Sequence, residues 1–122
     1  MTLSAIQSVQ WRWFIAFLLT LTLEAPVYIW LGRQYASVIK AAAAGALGSC
    51  VTHPLLWFVW RPFFDDYLLY VISGEIIVFL VEAVILRIII REMPFSKALS
   101  ISLLANATSY GIGLLLKLAG VF

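Results

Sequence analysis

Long apolar runs separated by short polar breaks organise this chain. Four windows, 13–31, 41–60, 67–90 and 98–116, each approach the ~20 consecutive apolar residues that a helix needs to cross the hydrocarbon core. The breaks between them, 32–40, 61–66 and 91–97, collect the turn and charge signals, including Gly32, Pro62, Asp65, Asp66 and Pro94. Within the windows the apolar residues are continuous rather than alternating, which is the pattern of helices and not of a β-barrel. The expected fold is therefore all-α and integral to a membrane: one transmembrane domain over 1–122, built of four helices. Links this short make sequential helices antiparallel neighbours.

Composition strengthens that reading. Hydrophobic residues make up 64% of the chain and charged residues 11%, and the mean hydropathy is +1.04. A soluble domain carries about 25% charged residues because its surface must be wetted; this chain lacks the polar side chains to cover itself, so lipid is its expected surrounding. Trp11, Trp13, Trp30, Tyr35, Trp57, Trp60 and Tyr67 fall near span ends, where amphipathic rings form interfacial belts. Arg12 precedes the first apolar run as in a signal peptide, but Glu24 and Pro26 interrupt that run and no small-residue cleavage pattern follows, so it reads as a retained span. The net charge of +2 is spread along the chain and forms no basic stripe, which sets nucleic-acid binding aside. A single cysteine, Cys50, excludes an internal disulfide and a multi-cysteine metal site.

Orientation follows from the basic residues near span ends. Arg33, Lys40, Arg87, Arg91 and Lys97 lie on one side, and Arg12, Arg61 and Lys117 on the other, where Asp65 and Asp66 offset the middle loop. The balance places both termini outside the cytoplasm, in what is expected to be a bacterial inner membrane.

The chain also aligns with itself. Placing residue 24 on residue 82 matches Glu24-Ala25 with Glu82-Ala83 and Arg33 with Arg91. After a one-residue slip in the turn, Lys40-Ala41 falls on Lys97-Ala98, Ser49 on Asn106, Thr52 on Ser109, His53 on Tyr110 and Pro54 on Gly111. The matched positions include the rare polar ones. The expectation is a tandem repeat of two helical hairpins, 13–60 and 67–117, in the same orientation and related by an approximate two-fold axis along the membrane normal, as in parallel-repeat transporters.

Polar residues inside spans carry the candidate chemistry. An ionisable group there costs at least about 2.5 kcal/mol on insertion scales and normally faces a partner or a cavity. At a rise of about 1.5 Å per residue, Glu24, Glu82 and Asn106 reach one level roughly 20 Å in from the side where the first span begins, while His53 and Glu75 lie roughly 10–12 Å in. Glu75 and Glu82 share a face of the third helix. Ser102, Asn106 and Ser109 share one on the fourth, and Thr20, Glu24 and Tyr28 one on the first. Ala41, Gly45 and Ser49 form a small-residue seam on the second that permits close helix packing. Pro26 and Pro54 each remove a backbone donor and leave a carbonyl oxygen near an ionisable residue. Carboxylates beside such oxygens suit a proton or a hard cation.

These positions define the expected ion or substrate site: Glu24, Glu82, Asn106, His53 and Glu75, with His53 and Glu75 as a relay or second layer and Thr52, Ser109, Tyr28 and Ser49 in support. The plainer readings are protonated structural acids bonding helix to helix, an interfacial His53, an Asn106 that glues helices, a snorkelling Arg87 and a packing Cys50. No P-loop, GxGxxG, HExxH, CxxC or nucleophile-elbow motif is present, and the sequence identifies no cofactor. The expected function is a small transporter or channel moving a proton or cation, assembled as a homo-oligomer because four helices enclose little volume. Two alternatives stand beside it. One is an intramembrane enzyme on a lipid-linked substrate, using Glu and His as acid and base or Glu24, His53, Glu75 and Glu82 as metal ligands. The other is a non-catalytic subunit of a larger membrane complex.

Overall fold

The computed structural model describes residues 3–120 of the chain, with side chains from Gln10 onward. It contains four helices and, among the described residues, no strand: α1 Leu3–Gly32, α2 Val38–Pro54, α3 Tyr67–Ile89 and α4 Phe95–Leu118. All four are long and apolar enough to span a membrane; α2 reaches that length together with the wider turns that follow it, over Val38–Phe63.

Local chemistry explains the boundaries. The chain leaves α1 through a turn in which the Tyr35 and Ala36 amides donate to the Gly32 carbonyl at 2.9 and 3.0 Å. Ser37 then opens α2 as an N-cap, its hydroxyl accepting from the Lys40 amide at 3.2 Å. Asp66 does the same for α3, accepting from the Leu68 amide at 2.9 Å. Pro94 precedes α4, and beyond α4 the chain turns at Gly120, whose φ of +81° is natural only for glycine.

The second span departs from the expected window. It does not end at Trp60 but continues to Phe63, as a π-helical stretch over Leu55–Trp60 and a 3₁₀ turn over Arg61–Phe63. Pro54 explains the change of helix type. Its ring cannot share space with the carbonyl four residues earlier and it has no N–H to donate, so the helix cannot keep its regular pattern there. The widened stretch is held from α3 by two side chains: the Tyr70 hydroxyl donates to the Leu56 carbonyl at 3.2 Å, and Trp60 Nε1 donates to Ser73 Oγ at 3.2 Å. Pro26, by contrast, lies within a continuous α1.

The helices pack as a ring in chain order, α4 closing against α1. Small residues set the spacing. Along α1 and α2 the contacts run in opposite directions: Glu24 meets Ser49, Tyr28 meets Gly45 and Gly32 meets Ala41. Along α2 and α3, Gly48 meets Glu82 and Leu56 meets Gly74. A Cβ at Gly45 would lie 2.5 Å from the Tyr28 ring, and one at Gly48 would lie 3.1 Å from Glu82 Cγ. The interior joins Tyr28, Ala44, Ala83, Leu86, Ile90, Met93, Ala98, Ile101 and Ala105. Outward faces carry Ile39, Leu68, Ile72, Ile76, Leu104 and Leu115. Apolar outer faces on four such spans are those of an integral membrane protein.

Candidate functional site: an intramembrane carboxylate pair

Four helices contribute polar side chains to the centre of the ring. Glu24 and Glu82 are each 2% exposed, and Ser49, Thr52, Ser102 and Asn106 are buried beside them. Glu24 projects from α1 and Glu82 from α3. Each reaches its position because the facing strip of α2 is small. Ala41, Gly45 and Ser49 line the side toward α1, and Gly48 and Thr52 the side toward α3.

Glu82 is the more tightly held. Its Oε2 accepts from the Asn106 amide nitrogen at 2.7 Å and from the Tyr28 hydroxyl at 3.0 Å; its Oε1 accepts from the Thr52 hydroxyl at 2.8 Å. Asn106 is itself anchored, since its amide also donates to the Ser102 carbonyl at 2.8 Å. The Ser102 hydroxyl ties α4 back to α3 by donating to the Phe79 carbonyl at 2.8 Å. Glu82 thus binds one residue from each of the other three helices.

Glu24 has fewer donors. Its Oε2 accepts from the Ser49 hydroxyl and its Oε1 from the Ser109 hydroxyl, both at 3.0 Å. A serine hydroxyl carries one hydrogen, and that of Ser109 also lies 3.2 Å from the Asn106 carbonyl. Glu24 therefore has one dedicated donor and one shared, against two dedicated and one shared for Glu82, whose Thr52 hydroxyl also lies 3.0 Å from the Gly48 carbonyl. All of these partners are neutral hydroxyls or amides. Among the described residues no basic side chain pairs with either acid.

The two carboxyls also differ in access. A cavity of about 180 Å³ lies between α1 and α2. Its rim is formed by the half-buried Leu21, Ala25, Ala42 and Ala46, and Glu24, Tyr28 and Ser49 line it at depth. Glu82 does not line it.

The structure therefore brings together Glu24, Glu82, Asn106, Ser49, Thr52, Ser109 and Tyr28. It does not assemble the second layer. His53 turns toward α1 and its own helix, among the rings of Phe17 at 5.5 Å, Trp57 at 6.4 Å and Trp13 at 6.5 Å. Its Nδ1 is buried without a partner, as is Trp13 Nε1. Glu75 is half-buried on α3, one face-repeat below Glu82, and no hydrogen bond joins it to His53 among the described residues. Counting residues gives the depth of His53 but not which side of α2 it occupies. Glu24, His53, Glu75 and Glu82 do not form a common ligand set, and among the described residues no three His, Cys, Asp or Glu side chains converge as metal ligands.

Sequence reasoning overlooked Gly48, the α1–α2 cavity and the aromatic surround of His53. Gly48 was available as a signal, because Ala44, Gly48 and Thr52 repeat the spacing of the first seam three residues later. Comparison with known proteins finds no matching family model, no matching curated protein and no matching solved structure.

Proposed function

We propose that this protein is a small membrane transporter or channel that carries a proton or a cation through Glu24 and Glu82. One observation carries the reading: two carboxyls from separate helices are buried together in a lipid-facing bundle with only neutral partners. Burying an isolated carboxylate is prohibitively costly, so a buried acid is paired, neutralised by a proton or bound to a cation. With no basic side chain to pair them, a proton or cation supplies the compensation. Glu82 is the fixed element, wrapped by Tyr28, Thr52 and Asn106. Glu24 is the exchanging element, held by Ser49 and Ser109 alone and open to the α1–α2 cavity. Glu75, along the same face of α3, extends the path toward the end where α3 begins. His53 has no part in it.

A two-fold internal repeat belongs to the same proposal. Its support is the bonding pattern: Glu24 is bonded to Ser49 within its own helix pair and to Ser109 across the ring, and Glu82 is bonded to Asn106 within its pair and to Thr52 across it. Under the sequence alignment Ser49 corresponds to Asn106 and Thr52 to Ser109, so these four bonds pair off, while the Tyr28–Glu82 bond has no counterpart because Leu86 stands at the matching position. Assembly as a homo-oligomer and termini outside the cytoplasm complete the proposal, the first from the small interior of four helices and the second from the Lys/Arg balance.

Reconstitution into proteoliposomes tests it. Glu24→Gln keeps the side-chain shape and removes the exchanging carboxyl, and Glu82→Gln does the same to the fixed carboxyl beside it. Both should abolish proton or cation flux while eluting from size exclusion as the wild type does. Wild-type flux in both variants would end the proposal.

A further inference from the structure

The cavity between α1 and α2 is unlike a site built for a bare metal ion. Hard cations take six or more oxygens, and among the lining residues only Glu24, Ser49 and Tyr28 have side chains that carry oxygen. The rest of the lining is Leu21, Ala25, Ala42, Gly45 and Ala46, all apolar. An apolar pocket with a few convergent polar groups is the usual form of a small organic-ligand site. Its volume of about 180 Å³ is of the size that admits one small ring, since an apolar void of about 150 Å³ accepts benzene.

From this combination we infer that the α1–α2 cavity binds a small organic ammonium ion, its charged nitrogen at Glu24 and its apolar body between Ala42, Ala46, Ala25 and Leu21. The inference rests on the proposed cation-handling role of Glu24 and names the class of cation. The chemistry of the lining carries it. Glu24 supplies a carboxyl without a basic partner, so an incoming cation meets no competing positive charge. The Ser49 hydroxyl, already bonded to Glu24 Oε2 at 3.0 Å, offers its lone pairs to an ammonium N–H. The Tyr28 ring lies against Gly45 and forms an aromatic wall, a surface that attracts ammonium groups. The rim residues face outward between two spans, so the ligand enters from the lipid side.

The corresponding stretch of α4 shows how the cavity is kept open. Under the sequence alignment Ala42 and Ala46 fall on Leu99 and Leu103, and Gly45 on Ser102. Leucines at these two places would fill the space that the alanines leave. The variant Ala42→Leu/Ala46→Leu therefore closes the cavity while leaving the carboxyl pair untouched.

Calorimetric titration of the protein in phosphatidylglycerol nanodiscs tests this, with benzylammonium as the probe and benzyl alcohol as its neutral shape match. Benzylammonium should bind with one-to-one stoichiometry and at least tenfold more tightly than benzyl alcohol. The double leucine variant should lose binding of both, and Glu24→Gln should lose only the preference for the cation. Nanodiscs containing phosphatidylethanolamine distinguish the source of the ammonium: competition by that lipid assigns the cavity to a lipid headgroup, and its absence to a free amine. Equal binding of the two probes, or benzylammonium binding that survives in the double leucine variant, overturns the inference. Should that variant fail to assemble, the Glu24→Gln comparison decides alone. Glutamate-dependent flux with no benzylammonium binding leaves the transport proposal standing and removes this one; binding without flux does the reverse.

Discussion

The helix pair α1–α2 and the helix pair α3–α4 each bring one glutamate to the middle of the bundle, and they treat it differently. Glu82 receives an amide and two hydroxyls from three other helices, and Gly48 lets α2 close over its stem. Glu24 receives two serine hydroxyls and borders a cavity. Asn106 gives Glu82 an amide with two hydrogens where Ser49 gives Glu24 a hydroxyl with one. Under the proposed repeat, Leu99 and Leu103 stand where α2 has Ala42 and Ala46. In the proposed function the two glutamates divide accordingly, Glu82 firmly fixed and Glu24 reachable.

The largest test of this contrast is to remove each acid in turn. Glu82→Leu strands the Tyr28 hydroxyl and the Asn106 amide, and a buried donor left without a partner costs about 1–3 kcal/mol. We expect a loss of about 3 kcal/mol in reversible unfolding from mixed micelles. Glu24→Leu strands only serine hydroxyls, which can turn to backbone carbonyls as Ser109 already can, so its loss should be about 1 kcal/mol by the same reckoning. Equal losses would erase the distinction between the two sites.

Next in size is the small-residue seam. Gly45→Ala forces a methyl against the Tyr28 ring, and overpacking of this kind costs about 1–3 kcal/mol. Gly113→Ala on α4 meets nothing within 4 Å and should be neutral or gain a few tenths, up to ~1 kcal/mol, from helix propensity. Thermal unfolding of the two variants side by side reads the difference directly. A smaller loss than that of Gly45→Ala is expected from Tyr28→Phe, which removes a single interhelical bond worth about 0.6 kcal/mol on the membrane average. It should leave Glu82 in place on Thr52 and Asn106, so flux should persist.

Much of this arrangement was legible in the chain itself. In a sequence this apolar, a polar residue inside a span has few places to go, and level plus helical face brought Glu24, Glu82, Asn106, Ser49 and Ser109 toward one another. His53 escaped the same reasoning. It is amphipathic enough to rest among Trp13, Phe17 and Trp57, so its depth carried no information about its direction. The end of the second span also escaped, because Arg61 and Pro62 read as a break, whereas the helix continues through them to Phe63, its widened stretch held by Tyr70 and Trp60. The cavity lies where Ala42, Gly45 and Ala46 of α2 face α1, so it depends on how two helices meet and is not a feature of either one.

The central claim is that Glu24 exchanges its compensating charge while Glu82 does not. Infrared difference spectroscopy of the protein in lipid, recorded between proton-rich and cation-rich buffers, observes carboxyl groups directly. The account predicts a carboxyl difference band that is present in the wild type, abolished by Glu24→Gln and retained in Thr52→Val, which loosens Glu82 alone. A spectrum without any carboxyl response, or a response that survives Glu24→Gln unchanged, contradicts it.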